Sequence, residues 1–274
     1  MSLGTTLLLG FIAGVTILLG IPLGRINRPM LAAKVVLNGV AVGILMFLIW
    51  DVFSAAWEPI DEALAAHHEH TGGLGPAFGY GALFAGGLTV GLLGLVAYDR
   101  YLARVATSPG AGVATWSMAR RMSLLIAVGI GLHNFAEGLA IGQAAASDEI
   151  GLATLLVVGF ALHNATEGFG IVAPLAGDLD EQGAQVRPSW GFLLTMALIG
   201  GGPTFVGTAV GHHFTSEPVS VIFLTLAAGS IVYVVAQLLG VAARSRRTDL
   251  LAYGLLIGLI AGFVTDAVVT AAGV

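Results

Sequence analysis

GLHNFAEGLAIG, from Gly131 to Gly142, and ALHNATEGFGIV, from Ala161 to Val172, repeat one six-residue pattern, His-Asn-x-x-Glu-Gly, thirty residues apart. Both copies lie in almost unbroken apolar sequence. In each, His and Glu are four residues apart and Asn and Glu three, spacings that put all three side chains on one face of a helix. Two helices would thus each carry an imidazole, a carboxylate and a carboxamide through a greasy stretch of chain.

The solvent around them follows from composition. The 274 residues are 57% hydrophobic and 10% charged, with mean hydropathy +0.92, which describes a polytopic membrane protein. A soluble domain of this length needs more charge to wet its surface, and the 40 glycines suit helices that pack closely in lipid. The absence of cysteine excludes disulfides and thiolate metal sites. A metal here must be held by imidazole, carboxylate, amide or thioether groups, which argues against a thiolate-based copper(I) site.

Apolar runs near twenty residues predict an all-α fold of eight transmembrane helices in one domain over 1–274, at about 3–24, 33–55, 76–98, 121–146, 151–174, 190–211, 218–242 and 250–273. The first run has no basic residue before it and no small-residue cleavage site, so it reads as a retained helix rather than a signal peptide. Lys and Arg collect in cytoplasmic loops. Here Arg25, Arg28 and Lys34 fall between spans one and two, Arg100, Arg104, Arg120 and Arg121 between three and four, Arg187 between five and six, and Arg244, Arg246 and Arg247 between seven and eight, which are all eleven basic residues. Both termini are therefore expected outside the cytoplasm. The other side receives Glu58, Asp61, Glu62, His67, His68, Glu69 and His70, then Asp148 and Glu149, then His212, His213 and Glu217. These acidic loops suit cations, although the His67–His70 cluster reads equally as a solvated loop. The net charge of −5, with every arginine accounted for by topology, leaves no basic patch for nucleic acid.

Depth brings the repeated motifs together. Counted from Arg121, His133 lies about 18 Å and Glu137 about 24 Å up span four; counted from Asp178, His163 lies about 22 Å and Glu167 about 16 Å up span five, at 1.5 Å per residue. All four share a slab near the midplane. Neutral imidazole with carboxylate suits Zn²⁺, Fe²⁺, Mn²⁺, Co²⁺ or Cd²⁺, and the metal charge offsets carboxylates that lipid does not tolerate bare. The plainer reading of each copy is a polar clamp in which His hydrogen-bonds the Glu one turn away. Two copies at matching depth favour the metal site, since intramembrane ionisable residues mark pathways.

HNFAEG (133–138) and HNATEG (163–168) resemble the paired HN-x-P-E-G motifs in the fourth and fifth helices of the Zrt/Irt-like (ZIP) family of divalent-metal transporters, prokaryotic type. The resemblance implies eight helices with both termini outside, inverted three-helix repeats flanking helices four and five in a 3+2+3 arrangement, and metal binding at His133, Asn134, Glu137, His163, Asn164 and Glu167. The chain departs from that pattern at several places. Ala136 and Thr166 stand where the family carries proline, Gly202 precedes Pro203 where helix six often carries Glu-Pro, Gln237 stands where helix seven often carries an acid, and the loop from Asp99 to Arg121 lacks histidine.

The expected function is transport of a divalent transition metal, Zn²⁺ first, into the cytoplasm across the cell (inner) membrane. The ion is cargo, and no cofactor and no enzymatic activity are expected. Partners are divalent metal ions and the lipid bilayer, with a homodimer as the candidate assembly. Asp51 and Asp266 are secondary acids, Asp51 able to guide the ion in; Met46 offers a thioether or ordinary packing; Gln237 completes the auxiliary set. Three other classes stand beside transport: a non-transporting metal binder or sensor using the same residues; an intramembrane metalloenzyme, which would want an H-E-x-x-H-like order that the chain lacks; and a di-iron carboxylate oxidase, which would use Glu-x-x-His with extra glutamates that the other spans do not offer at that depth. With no helix-six acid, one metal per chain is expected, and Gly202→Glu is expected to raise this toward two if position 202 faces helices four and five.

Overall fold

The computed structural model describes residues 1–25, 31–106, 116–147, 150–178, 186–213, 216–243 and 247–271. Arg28, Asp148, Glu149, Arg244 and Arg246 therefore lie outside the described residues, as do the side chains of Lys34 and His163. Among the described residues eight helical spans are long and apolar enough to cross a membrane; the first, Leu3–Arg25, begins with α1 (Leu3–Val15), and the others are built on α2 (Leu31–His68), α3 (Gly75–Ala106), α4 (Met118–Ala146), α5 (Ile150–Val172), α6 (Trp190–Gly211), α7 (Glu217–Ala243) and α8 (Thr248–Ala271). Among the described residues there is no strand.

Local chemistry sets the helix ends. Ser2, Ser117 and Ser189 cap α1, α4 and α6, each side chain accepting from the backbone N–H three residues on. Span one, expected as a helix to residue 24, instead runs from α1 into two 3₁₀ segments, Thr16–Leu19 and Ile21–Arg25, the second containing Pro22, which cannot donate to a helical ladder. Span two is longer than expected. The acidic stretch from Glu58 to His68, read as loop, continues α2 through Pro59, because charge ends a membrane segment without ending a helix. Buried hydroxyls satisfy themselves within their helix, Thr208 donating to Thr204 O at 2.8 Å and Thr225 to Val221 O at 2.7 Å.

The packing has an inverted twofold pattern. α2 packs on α8 as α7 packs on α3, α4 on α6 as α5 on α1, and α1 crosses α6 and α2 crosses α7 at the centre. Gly14 of α1 and Gly201 of α6 each face the other's carbonyl oxygen, and Gly138 of α4 meets Thr204 O as Gly168 of α5 meets Ile17 O. The equivalent residues of α1 and α6 keep one sequence offset throughout. α4 is the most enclosed helix, and α3 and α8 are the most exposed.

One crossing shows why glycine is required. Pro203 has no N–H to give to Ile199 O four residues back, and Gly131 of α4 rests directly on that carbonyl, where a Cβ would collide. Gly138→Ala is therefore expected to destabilise the bundle by about 2 kcal/mol or more through overpacking against backbone. Gly202→Ala, which meets only the flexible Leu198 side chain, should change stability by about 0.5 kcal/mol or less. Thermal unfolding of the two variants in detergent checks the contrast.

Candidate metal centre

α4 and α5 run antiparallel, joined by residues 147–149, so their motifs meet with opposite polarity: the histidine of one faces the glutamate of the other. The Nε2 atom of His133 lies 2.8 Å from Oε1 of Glu137 on its own helix and 4.0 Å from Oε1 of Glu167 on α5. The depth count anticipates this cross-helix approach, since it places His133 and Glu167 at nearly the same level. His133, Glu137 and Glu167 are 2%, 5% and 2% exposed, so one imidazole sits between two carboxylates in a region closed to bulk water. His163 occupies the corresponding place in α5, its side chain outside the described residues.

The two asparagines do something the sequence did not announce. Asn134 Nδ2 donates to Gly200 O of α6 at 3.0 Å, and Asn164 Nδ2 donates to Ala13 O of α1 at 3.0 Å, the same bond in each half of the inverted repeat. Each amide is fixed by its nitrogen to a flanking helix. Among the described residues each Oδ1 is then left buried without a hydrogen-bond partner, an uncommon and costly state for a carbonyl oxygen. A cation beside them would satisfy those oxygens.

The set mixes imidazole nitrogen, carboxylate and amide oxygen, a donor chemistry suited to Zn²⁺ and its first-row neighbours. Among the described residues, no three His, Asp or Glu groups already stand in ligand geometry. His133 Nε2 and Glu137 Oε1 stand 2.8 Å apart, and both side chains would have to turn for one ion to meet them.

The auxiliary residues are scattered. Asp51 is half-buried on α2, Gln237 half-buried on α7 and Asp266 half-buried on α8. Met46 stands apart from these on α2. It is 40% exposed while Leu45 and Phe47 on either side are buried, so helical rotation turns its thioether outward, away from the bundle. Gly202 is half-buried on α6, and a Cβ there meets only the Leu198 side chain, on a groove that it shares with Gly131 and Leu132 of α4 and that holds none of His133, Glu137 and Glu167. Conversely, a half-buried arginine and a buried aspartate pair at the basic end of the bundle. Asp178, 4% exposed, follows the 3₁₀ segment Ala173–Gly177 and lies 3.4 Å from Arg120 in the first turn of α4. Both residues appear in the sequence only as span ends, and opposite charges bounding two antiparallel spans at one end are the signal that could have found them.

No curated protein matches the chain. A family model, ZIP zinc transporter, matches residues 104–268, a stretch that runs from the end of α3 into α8 and includes both His-Asn-x-x-Glu-Gly motifs. It covers more than half of the sequence. The chain is a multi-pass membrane transporter of divalent metal and belongs to the ZIP zinc transporter family.

Proposed function

We propose that the protein moves Zn²⁺, or with lower preference Fe²⁺, Mn²⁺, Co²⁺ or Cd²⁺, across the cell membrane into the cytoplasm, through a site made by His133, Asn134, Glu137, His163, Asn164 and Glu167. The observation that carries this reading is the buried convergence of His133, Glu137 and Glu167 from two antiparallel helices, flanked by the Oδ1 atoms of Asn134 and Asn164, which have no hydrogen-bond partner among the described residues.

The ion sheds water at the acidic face, enters between α4 and α5, and separates His133 from Glu137, which stand 2.8 Å apart. Neutral imidazole and the two carboxylates bind it, while the amide oxygens, already aimed by their bonds to α1 and α6, need no reorganisation. Release follows at the basic end. Metal competes with protons for the same atoms, so uptake falls as the outer solution is made acidic. In liposomes loaded with a metal-sensing dye, the purified protein should pass Zn²⁺ and not Mg²⁺, which prefers all-oxygen octahedral sites.

A non-transporting binder is the second reading, favoured by the close approach of His133 to Glu137 within one helix, which is what a polar clamp would also form. It binds metal without flux, and the same liposomes separate the two.

Direction rests on orientation, and the fold groups the loops consistently. Arg25 donates to Pro188 O at one end, while Thr6 meets His212 and Tyr80 donates to Glu217 at the other. Because the chain has no cysteine, single cysteines at positions 70 and 213 should react with an impermeant reagent added outside intact cells, and one at position 246 should not. The reverse pattern would turn the proposed transport from uptake to efflux.

A further inference from the structure

An apolar groove of about 1030 Å³ runs along the outside of the bundle between α1, α4 and α6, away from the polar face that carries His133 and Glu137. One wall is an i, i+4 ridge on α6: Leu194, Leu198, Gly202 and Val206 line it in turn, with Leu198 71% exposed. The other wall is Phe11, Val15 and Leu18 of α1, and Gly131 and Leu132 of α4 form the floor. Gly202 gives the groove depth, its open side meeting only Leu198. From Leu194 to Val206 the groove is about 18 Å long at 1.5 Å per residue, a little more than one leaflet of a hydrocarbon core about 30 Å thick.

The groove is apolar along its length and cationic at one end. Trp190 continues the α6 ridge one turn before Leu194, and the Arg25 guanidinium lies 5.0 Å above its ring. Pro188 O takes one N–H of Arg25 at 2.9 Å. A guanidinium carries five N–H donors in a planar fork that matches phosphate oxygens. An acyl chain laid in the groove would bring a lipid phosphate to that level.

We propose that this groove is a binding site for a phospholipid with an anionic head group, taken from the leaflet at the basic end of the bundle, with its chain against α1 and α6 and its phosphate on Arg25. A second copy of the chain fits less well. A twofold dimer in a membrane sets identical residues at identical depth, and would bring two Arg25 guanidiniums to the same level across a seam that has no carboxylate among the groove-lining residues. Because Leu132 of the floor precedes His133 and Asn134 is tied to Gly200, the lipid braces the back of the α4–α6 contact that carries the site.

Native mass spectrometry of the purified full-length protein, titrated with phosphatidylglycerol or phosphatidylcholine, tests this without reference to transport. One phosphatidylglycerol per chain should be retained in preference to phosphatidylcholine. Arg25→Gln should lower its retention at least tenfold, and Gly202→Phe, which fills the groove, should lower retention of both lipids. Should Gly202→Phe not fold, Leu198→Cys blocked with a bulky maleimide obstructs the same groove. Equal retention of the two lipids, or phosphatidylglycerol retention untouched by these changes, would overturn the proposal. So would disulfide-linked dimers through Leu198→Cys in membranes, which would assign the groove to a second copy.

Discussion

Glu167→Ala lowers Zn²⁺ uptake into proteoliposomes at least tenfold, and so do Glu137→Ala and His133→Ala, while each variant still inserts and purifies. All three side chains are at most 5% exposed, so an ion held there depends on them, and not on water, for compensation. Removing one partner of a buried charge interaction costs about 3–5 kcal/mol, and about 1.4 kcal/mol already gives a factor of ten; the tenfold figure is therefore a lower bound. The polar-clamp reading expects a different split. There the hydrogen bond of His133 to Glu137 contributes about 1 kcal/mol to stability, so His133→Ala would lower the unfolding temperature and leave flux nearly intact. Near-normal flux in all three variants would establish the clamp.

Asn134→Ala should behave unlike either. Its amide serves the fold through Gly200 O, and in the proposed transport its Oδ1 meets the ion, so the substitution should reduce stability and uptake together. Asn164→Ala should do the same through Ala13 O.

Those asparagines also show where the sequence ceased to be legible. Side-chain spacing along one helix is fixed by the 3.6-residue period, so the shared face of His133, Asn134 and Glu137 could be read directly, and depth counting paired His133 with Glu167. Which backbone carbonyl an amide nitrogen reaches depends on helix neighbours that no local pattern encodes, and Gly200 and Ala13 carry no signal of their own. The same boundary explains the errors. Hydropathy marks where lipid ends, which hid the continuation of α2 to His68. It says nothing of rotation about a helix axis, which turned Met46 outward and set Gly202 beside Leu198.

Washed protein should hold one divalent ion per chain in the membrane site once His67, His68, His70, His212 and His213 are replaced to remove surface binding. Among the described residues the buried carboxylates are Glu137, Glu167 and Asp178, and Asp178 is matched by Arg120 at the end of the bundle. Two charges of −1 therefore balance one ion of +2. A second ion about 4 Å from the first would meet a repulsion of about 16 kcal/mol at an effective dielectric of about 20, with no further buried carboxylate among the described residues to offset it. Glu137→Gln combined with Glu167→Gln should remove the bound ion, weakening affinity at least a hundredfold while keeping shape and volume. Gly202→Glu, in the position where the family often carries an acid, should leave the count at one, because a Cβ there meets only Leu198 and the groove it lines holds none of His133, Glu137 and Glu167. Two equivalents in the Gly202→Glu protein would mean that α6 presents this position to the site, and two in the protein with Gly202 intact would mean that charge balance does not set the occupancy.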